Sequence, residues 1–470
     1  MVVIYMLQFK KISDISDIRK IKKYIDSYKG YFSTLNLPGF MIWRNLFPKL
    51  YSIYNDTLIL KEYDPDGKFK SHFFMPLGCD TDGAIMQIEM YCKEKSEELV
   101  FANLTEEQAN AISKRYHITE VFYDRNWSDY IYLAKDMREF SGKKFSGQRN
   151  HINKFKKNYG EPVYNEITSE NKSRVIEFLN RFAITRNFST STEEEEFVRI
   201  LELLENFDEF NMLAGFIEVQ GTVVAMSMGE IKGDMLHVTV EKADREFEGA
   251  YQVMVQEFAK HNTDDSIIYI NREDDMGLEG LRTSKLQYKP VEIMHKYYMY
   301  AGTMFDKLKL QYEIKGERIS LSDISDSDAE DFFVLSSDIT NNKYWGYDFR
   351  EDSEYNESPE YFMDFVRTMK DTKEEYSLAI RHDGKFAGEV VFHNMDVFGK
   401  VEIGVRLLPK FHGHGLGTEA TILAADYAKK CGASEITMKC LKENTASYNM
   451  IKKAGFKESH KTDTHVHFVH

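Results

Sequence analysis

Cysteine is scarce. The 470 residues hold four, Cys79, Cys92, Cys431 and Cys440, at spacings that match no zinc motif, so neither a disulfide framework nor a thiolate metal site is expected. Eight prolines and 27 glycines leave no room for collagen-like or proline-rich segments. No stretch approaches the ~18 to 20 uncharged apolar residues that cross a bilayer. The opening MVVIYMLQFKKI lacks both an early positive charge and a cleavage site, so a cytoplasmic protein without an integral membrane segment is expected. Positive charge is in deficit, with 61 Lys+Arg against 76 Asp+Glu and a formal charge of −15, which argues against duplex DNA as a partner of the whole surface.

What the chain has is material for cores: 42% hydrophobic and 14% aromatic residues. Its length exceeds the ~250 to 300 residues at which one core stops growing, so two or three domains are expected. Amphipathic helices alternate with short β-branched and aromatic strands, the pattern of a mixed α/β fold. LAGFIEVQGTVVAMSMGEI predicts a hairpin around Gln220-Gly221, followed by the strand MLHVTVEKA, the helix EGAYQVMVQEFAKH and the strand IIYINRED. The C-terminal part repeats this order, with a hairpin at Asp383-Gly384, the strand KVEIGVRLL, the helix GTEATILAADYAKKCG, the strand EITMKCL and the helix TASYNMIKKAG.

The strongest chemical signal is EIGVRLLPKFHGHGLGTEA, residues 402 to 420. Gly413, Gly415 and Gly417 follow a strand and open a helix, so successive backbone N–H groups are presented at a helix N-terminus, a setting suited to a pyrophosphate. This stretch, with Asn444 to Met450 and Ala454-Gly455-Phe456 downstream, resembles the GNAT acetyltransferases over roughly residues 315 to 470. The resemblance implies acetyl-CoA as cofactor. It places Val405, Leu407 and Leu408 on a splayed strand along the pantetheine, and His412, Gly413, His414, Gly415, Leu416, Gly417 and Thr418 around the pyrophosphate, with Asn444 and Ser447 on the pantetheine arm. Two departures stand out. His412 occupies the usual Arg/Gln position, and Ile451 sits where many members carry the tyrosine that protonates the leaving thiolate; Tyr448, one turn earlier, is the candidate replacement.

Acyl transfer to an amine needs a neutral nitrogen, hence a base. Glu402 and Glu389 are the candidates, either of which also reads as a strand-end surface carboxylate. Residues 321 to 360 hold 12 Asp+Glu and 2 Lys+Arg, a field suited to a small cationic amine acceptor, with Tyr344, Trp345 and Tyr347 placed to stack on it; a solvated acidic face is the alternative. His460, His465, His467 and His470 lack a carboxylate or cysteine to complete a metal set, and no metal is expected.

Three N-terminal segments resemble the C-terminal domain of the bacterial phosphatidylglycerol lysyltransferases: FMIWRNLFPKLYSIYNDTLIL with FFMPLG, DYIYLAKDMREFSGKKFSGQRNHINKFKKNY, and HVTVEKADREFEGAYQVMVQEF with INREDDMGLEGLRTSKLQYKP. That resemblance implies two GNAT-like lobes over residues 1 to 305, divided near 165, so that with residues 306 to 470 the chain would contain three. It also brings in aminoacyl-tRNA as a partner. Residues 143 to 157 carry six Lys+Arg and no acid, and their helix is expected to present Arg149, Lys154 and Lys157 outward to a phosphate or an acceptor stem, or to solvent. Glu273 and Asp274 are candidates to orient an amine and Arg282 and Lys285 to hold an anion, with His237 and Glu241 lining the same cleft; a salt-bridged loop is the alternative. The main expectation is therefore an N-acetyltransferase fused to an aminoacyltransferase-like module. Aminoacyl-tRNA-dependent transfer by the N-terminal module, or a non-catalytic binding module, are the competing readings.

Overall fold

The computed structural model describes residues 7–67, 69–186, 190–210, 212–345, 349–351 and 356–470. The fold is mixed α/β, with three sheets among the described residues. The chain divides into two compact units: unit 1 comprises Met1–Asn110 and Glu120–Tyr300, and unit 2 comprises Ala111–Thr119 and Ala301–His470. Among the described residues no helix is long and apolar enough to cross a membrane.

Unit 2 is built on an eight-stranded sheet, in the spatial order Ile314–Lys315, Ile319–Asp323, Tyr376–His382, Lys385–His393, Lys400–Leu407, Glu435–Leu441, His465–Val469, Lys457–Lys461. The hairpin turn at Asp383-Gly384 has both residues at positive φ (50° and 74°), the two-residue turn whose twist matches the strands it joins. Helix Leu416–Lys430 lies on one face, where Ala420, Ala424, Ala425 and Ala428 let it approach Leu378, Val390, Val401 and Ile403 closely. Phe332, Leu335, Phe349 and Phe362 pack on Ala379 and Phe386, so helices Ala329–Ser337 and Pro359–Asp371 cover part of the other face. Strand Lys385–His393, buried on both sides, accordingly reads as an almost unbroken apolar run rather than an alternation.

Unit 1 contains a seven-stranded sheet in the order Glu292–Met294, Asp129–Leu133, Tyr269–Asn271, Met235–Ala243, Thr222–Lys232, Leu213–Val219, Val163–Glu166. Its hairpin at Gln220-Gly221 has the same double positive φ, 48° and 81°. Thr239 has no partner opposite it between the pairs Gly229↔Val238 and Met228↔Val240, so it forms a bulge. The bulge shifts the alternation: Val238 joins the core with Tyr132 and Phe258, whereas Val240 joins the core with Ile42 and Leu203.

Candidate functional site

In unit 2 strands Lys400–Leu407 and Glu435–Leu441 run parallel and pair over three positions only, Lys400↔Glu435, Val401↔Ile436 and Glu402↔Thr437. Both strands continue beyond Glu402 without pairing to each other, which opens a V-shaped gap in the sheet. Antiparallel ladders hold each arm on its far side. Of the residues predicted along this gap, Val405 is half-buried. The Leu407 carbonyl accepts from Asn341 Nδ2 and from His412 Nε2, both at 3.0 Å, and the Leu408 N–H donates to the Ala387 carbonyl at 2.9 Å. Leu407 and Leu408 thus spend these backbone groups inside the fold, and His412 serves the strand end rather than projecting freely.

The glycine turn follows. Gly413 and Gly415 have φ of 79° and 77°, the left-handed region, and Gly415 is the N-cap of helix Leu416–Lys430. A Cβ on Gly413 would meet nothing within 4 Å, and one on Gly415 would meet only Arg318 Nη2 at 3.6 Å, so the space over the turn is open. Arg318 braces it by donating to the His414 carbonyl at 2.8 Å while paired with Glu419 at 2.9 Å. Gly417 has a different setting: a Cβ there would lie 2.9 Å from Met450 Sδ on helix Thr445–Lys453, so glycine lets that flexible side chain pack close. Leu416 is buried and Thr418 is half-buried beside it. Open space, an N-terminal helix turn and a basic brace fit a diphosphate.

The two candidate bases separate. Glu389 is buried and bound to Arg406 Nε at 2.7 Å, and Arg406 also donates to Ser336 and Asn342; this carboxylate is part of an internal network and is removed from the list of candidate bases. Glu402, at the closed end of the V, meets Lys439 at 3.2 Å, Asn394 at 3.1 Å and His393 at 3.8 Å. Burial alone would push its carboxyl up, but His393, Lys439 and Asn394 outweigh it and hold the group below the usual carboxylate range. His393, Asn394 and Lys439 were not anticipated. The cross-strand register that brings them to Glu402 leaves no local pattern in the sequence.

Tyr448 donates its hydroxyl to Glu458 and packs edge-on against Phe468, which ties it to the outer edge of the sheet. Ile451 is a core residue. Asn444 caps helix Thr445–Lys453 by accepting from the Ser447 N–H at 3.1 Å, so its carbonyl oxygen and that amide satisfy each other.

Part of the acidic stretch is paired within unit 2. Asp328 takes both ends of the Arg381 guanidinium at 2.9 Å, Asp326 pairs with Arg367, and Asp323 accepts from Tyr376 at 2.7 Å. Trp345 does face a cation, but it is Arg406, 4.5 Å from the ring centroid; Lys343 lies over Tyr344. Tyr347 lies outside the described residues.

Unit 1 repeats the parallel strand–helix–strand plan with different contents. Strands Met235–Ala243 and Tyr269–Asn271 are parallel over three pairs ending at His237↔Asn271, and helix Ala250–Asn262 connects them. Its N-cap, Gly249, has a left-handed φ of 95°, as Gly415 does. Here the space is filled: a Cβ on Gly249 would lie 2.5 Å from the His151 carbonyl and 3.1 Å from Phe155, both on helix Ser146–Tyr159. That helix is the basic island. Arg149 does not point outward; it donates to the Phe140 and Gly142 carbonyls and closes the preceding turn. Lys154 pairs with Glu248 at 2.6 Å, and Lys157 is exposed.

At the last parallel pair lies a buried polar cluster. Asp129, fully buried, binds Lys296 Nζ at 2.7 Å and accepts from Ser33 N and Oγ at 2.8 Å and from Asn271 Nδ2 at 2.9 Å. Burial opposes charge on Asp129, but Lys296, Ser33 and Asn271 hold its carboxyl below the ordinary value. His237 is buried with neither ring nitrogen bonded, and Thr34 Oγ1, Thr239 Oγ1 and Arg272 Nη1 are also buried without partners. Glu273, in a left-handed conformation, and Asp274 are both pushed up, first by burial and then by neighbouring carboxylates. Lys285 does not await an anion, because it donates to the Arg272 and Asp274 carbonyls; Arg282 is held by Asp275 at 2.8 Å and Asn126 at 2.7 Å. Glu241 binds Arg272 at 2.6 Å, so the bulge at Thr239 parts it from His237.

Residues 33–300 match the model for "Phosphatidylglycerol lysyltransferase, C-terminal". The chain belongs to that lysyltransferase C-terminal family. In this lysyltransferase-family chain residues 318–457 further match the model for an acetyltransferase (GNAT) domain, so the fusion predicted from the sequence is present. An uncharacterised protein of Mycoplasmoides gallisepticum is 24% identical over 203 residues, 42% of this chain; the chain spans 62% of the length of that curated relative. A solved protein of unknown function from Bacteroides thetaiotaomicron is 28% identical, with 63% of this chain and 99% of that one covered at a TM-score of 0.55. A GNAT-family acetyltransferase from Bacillus anthracis is 23% identical, with 34% and 98% covered at a TM-score of 0.30.

Proposed function

We propose that unit 2 is an acetyl-CoA-dependent N-acetyltransferase acting on a small primary amine. The observation that carries this reading is the V-shaped gap placed directly before an open glycine turn, with a carboxylate at its closed end. The backbone N–H groups at the start of helix Leu416–Lys430 would hold the diphosphate, with Arg318 adding positive charge. The backbone edge between Ile403 and Arg406, unpaired toward the neighbouring parallel strand, would align the pantetheine as an added strand does. Bound there, acetyl-CoA would supply a thioester carbon for attack by the amine. The polar groups around Glu402 would accept the amine's proton. The enzyme is thus an acyltransferase, and the choice of acetyl group and of a cationic acceptor is part of the proposal. Incubation with acetyl-CoA and a panel of amines, followed by thiol release, tests it: turnover with polyamines or amino sugars is expected, and acetyl-CoA that neither binds nor turns over would sink it.

A second activity, aminoacyl transfer from tRNA by unit 1, is supported by the unpartnered polar atoms of His237, Thr239 and Thr34 and by the raised carboxyls of Glu273 and Asp274, which together suit an ammonium-bearing group. The glycine turn there is covered by helix Ser146–Tyr159, which disfavours CoA at that position. Binding of aminoacyl-tRNA at low salt, lost on Lys154→Glu with Lys157→Glu, is expected; absence of any binding at low salt excludes this activity.

A further inference from the structure

Glu402 is the last paired residue before the two strands part, and side chains from three neighbouring segments converge on it. Asn394 Nδ2 donates to Oε2 at 3.1 Å and Lys439 Nζ lies 3.2 Å from Oε1, so both carboxylate oxygens already have a donor. His393 stands directly opposite Glu402 in the antiparallel register, with Nε2 3.8 Å from Oε1. That separation is too long for a hydrogen bond. It does leave room for one nitrogen or oxygen atom about 2.8 Å from each group.

We propose that His393 is the catalytic base, taking the proton of the acceptor amine, while Glu402 holds the ammonium beside it and Lys439 with Asn394 positions Glu402. The inference rests on the acyltransferase reading above and assigns the proton within it. A carboxylate bridged by an ammonium and an amide is a weak proton acceptor but a good electrostatic anchor. A half-buried imidazole without such partners is the better base.

The charged surroundings agree. Burial lowers the proton affinity of His393, Glu402 and Glu389 raise it and Lys439 lowers it, and the net direction is down, so the ring is neutral near neutral pH. On its own strand Glu389 is engaged by Arg406; across the sheet beyond Lys439 stands His467, stacked on His460 at 4.3 Å. Unit 1 offers an independent parallel. At its own last parallel pair the residue is His237, and the residue opposite in the antiparallel register is Glu230. The same two side-chain types occupy the same two register positions with their places exchanged. In unit 1 the pair is buried, whereas in unit 2 Glu402 lines a cavity of about 290 Å³ with Lys400, Thr437, His460 and His467, and the His393 side chain keeps 22% of its surface exposed.

The step balances as follows. The ammonium gives its first proton to His393 Nε2. The freed lone pair forms the C–N bond to the acyl carbon as the C–S bond breaks and CoA leaves as a thiolate. The second proton, lost from nitrogen once the C–N bond has formed, neutralises the thiolate through solvent.

The test is thiol release by the full chain from acetyl-CoA with spermidine and with glucosamine across a pH range from about 4 to 9.5, wide enough to follow the limb downward, comparing wild type, His393→Gln, Glu402→Gln and Lys439→Met, with acetyl-CoA affinity measured for each. His393→Gln should retain acetyl-CoA affinity, lower kcat by about 100-fold or more and abolish the acid limb of the profile. Glu402→Gln should raise the amine KM and move the acid limb to lower pH, because an anion beside the ring is lost. Lys439→Met should move the limb to higher pH. A wild-type profile retained in His393→Gln, or an acid limb abolished by Glu402→Gln alone, overturns the assignment and leaves the acyltransferase reading intact. Wild-type protein that binds acetyl-CoA but acetylates neither amine overturns both. Should His393→Gln fail to fold, an NMR titration of the His393 ring in wild type and Glu402→Gln decides: a downward shift is expected, and no shift overturns the pairing.

Discussion

The residue with most at stake for stability is Asp129. It is fully buried, and Lys296, Ser33 and Asn271 match its charge. Breaking such a pair from one side leaves the other charge uncompensated, so Asp129→Asn should cost about 3 to 5 kcal/mol in urea unfolding at pH 7. His237 gives a pH signature. Burial pushes its ring down to about 4, whereas in the unfolded chain it titrates near the ordinary 6.5. Between these values the unfolded chain binds a proton that the native one refuses, so stability falls as pH drops through that window, by about 3 kcal/mol once both are passed. His237→Asn should flatten that part of the stability profile; an unchanged slope would show that the ring is not held neutral. Neither residue was legible in this role. His237 was legible as a candidate cleft residue beside Glu241 but not as a buried neutral ring, and nothing local distinguishes Asp129 within NWSDYIYL or connects it to Lys296. Glu402 was legible because its place ahead of a glycine turn is a matter of adjacent sequence.

Among the elements, two strand–helix–strand units have the same backbone plan and different fates at the helix N-terminus. Hairpins at Gln220-Gly221 and Asp383-Gly384, and the turn at Gly413 to Gly417, were predictable because two or three adjacent residues decide them. What covers a turn is a tertiary matter. Helix Ser146–Tyr159 closes the turn at Gly249, and no pattern in either segment announces this. Gly249→Ala should therefore destabilise unit 1 by about 1 to 3 kcal/mol, since the new methyl would meet the His151 carbonyl in an already left-handed conformation. Chemical denaturation checks it, and a neutral substitution would contradict the packing described. Tyr448→Phe removes a bond to Glu458 at the sheet edge, so kcat should change by less than about threefold. A hundredfold loss would restore the hydroxyl as the group that protonates the thiolate.

For the molecule as a whole, the net charge of −15 says little about recognition, because Asp328, Asp326 and Asp323 of the acidic stretch are bound to Arg381, Arg367 and Tyr376, and Lys154 and Arg149 of the basic helix to Glu248 and backbone carbonyls. Reading those stretches as free fields was reasonable from composition. It missed partners that are remote in sequence. Two compact units, with one open glycine turn between their two strand–helix–strand motifs, predict that CoA stabilises only part of the chain. In calorimetry acetyl-CoA should raise one unfolding transition and leave the other in place. The most direct measurement is isothermal titration of acetyl-CoA into the full chain and into Gly415→Trp. One site per chain, weakened at least a hundredfold by the substitution, is predicted. Two sites, or an affinity that the tryptophan leaves unchanged, would contradict the account.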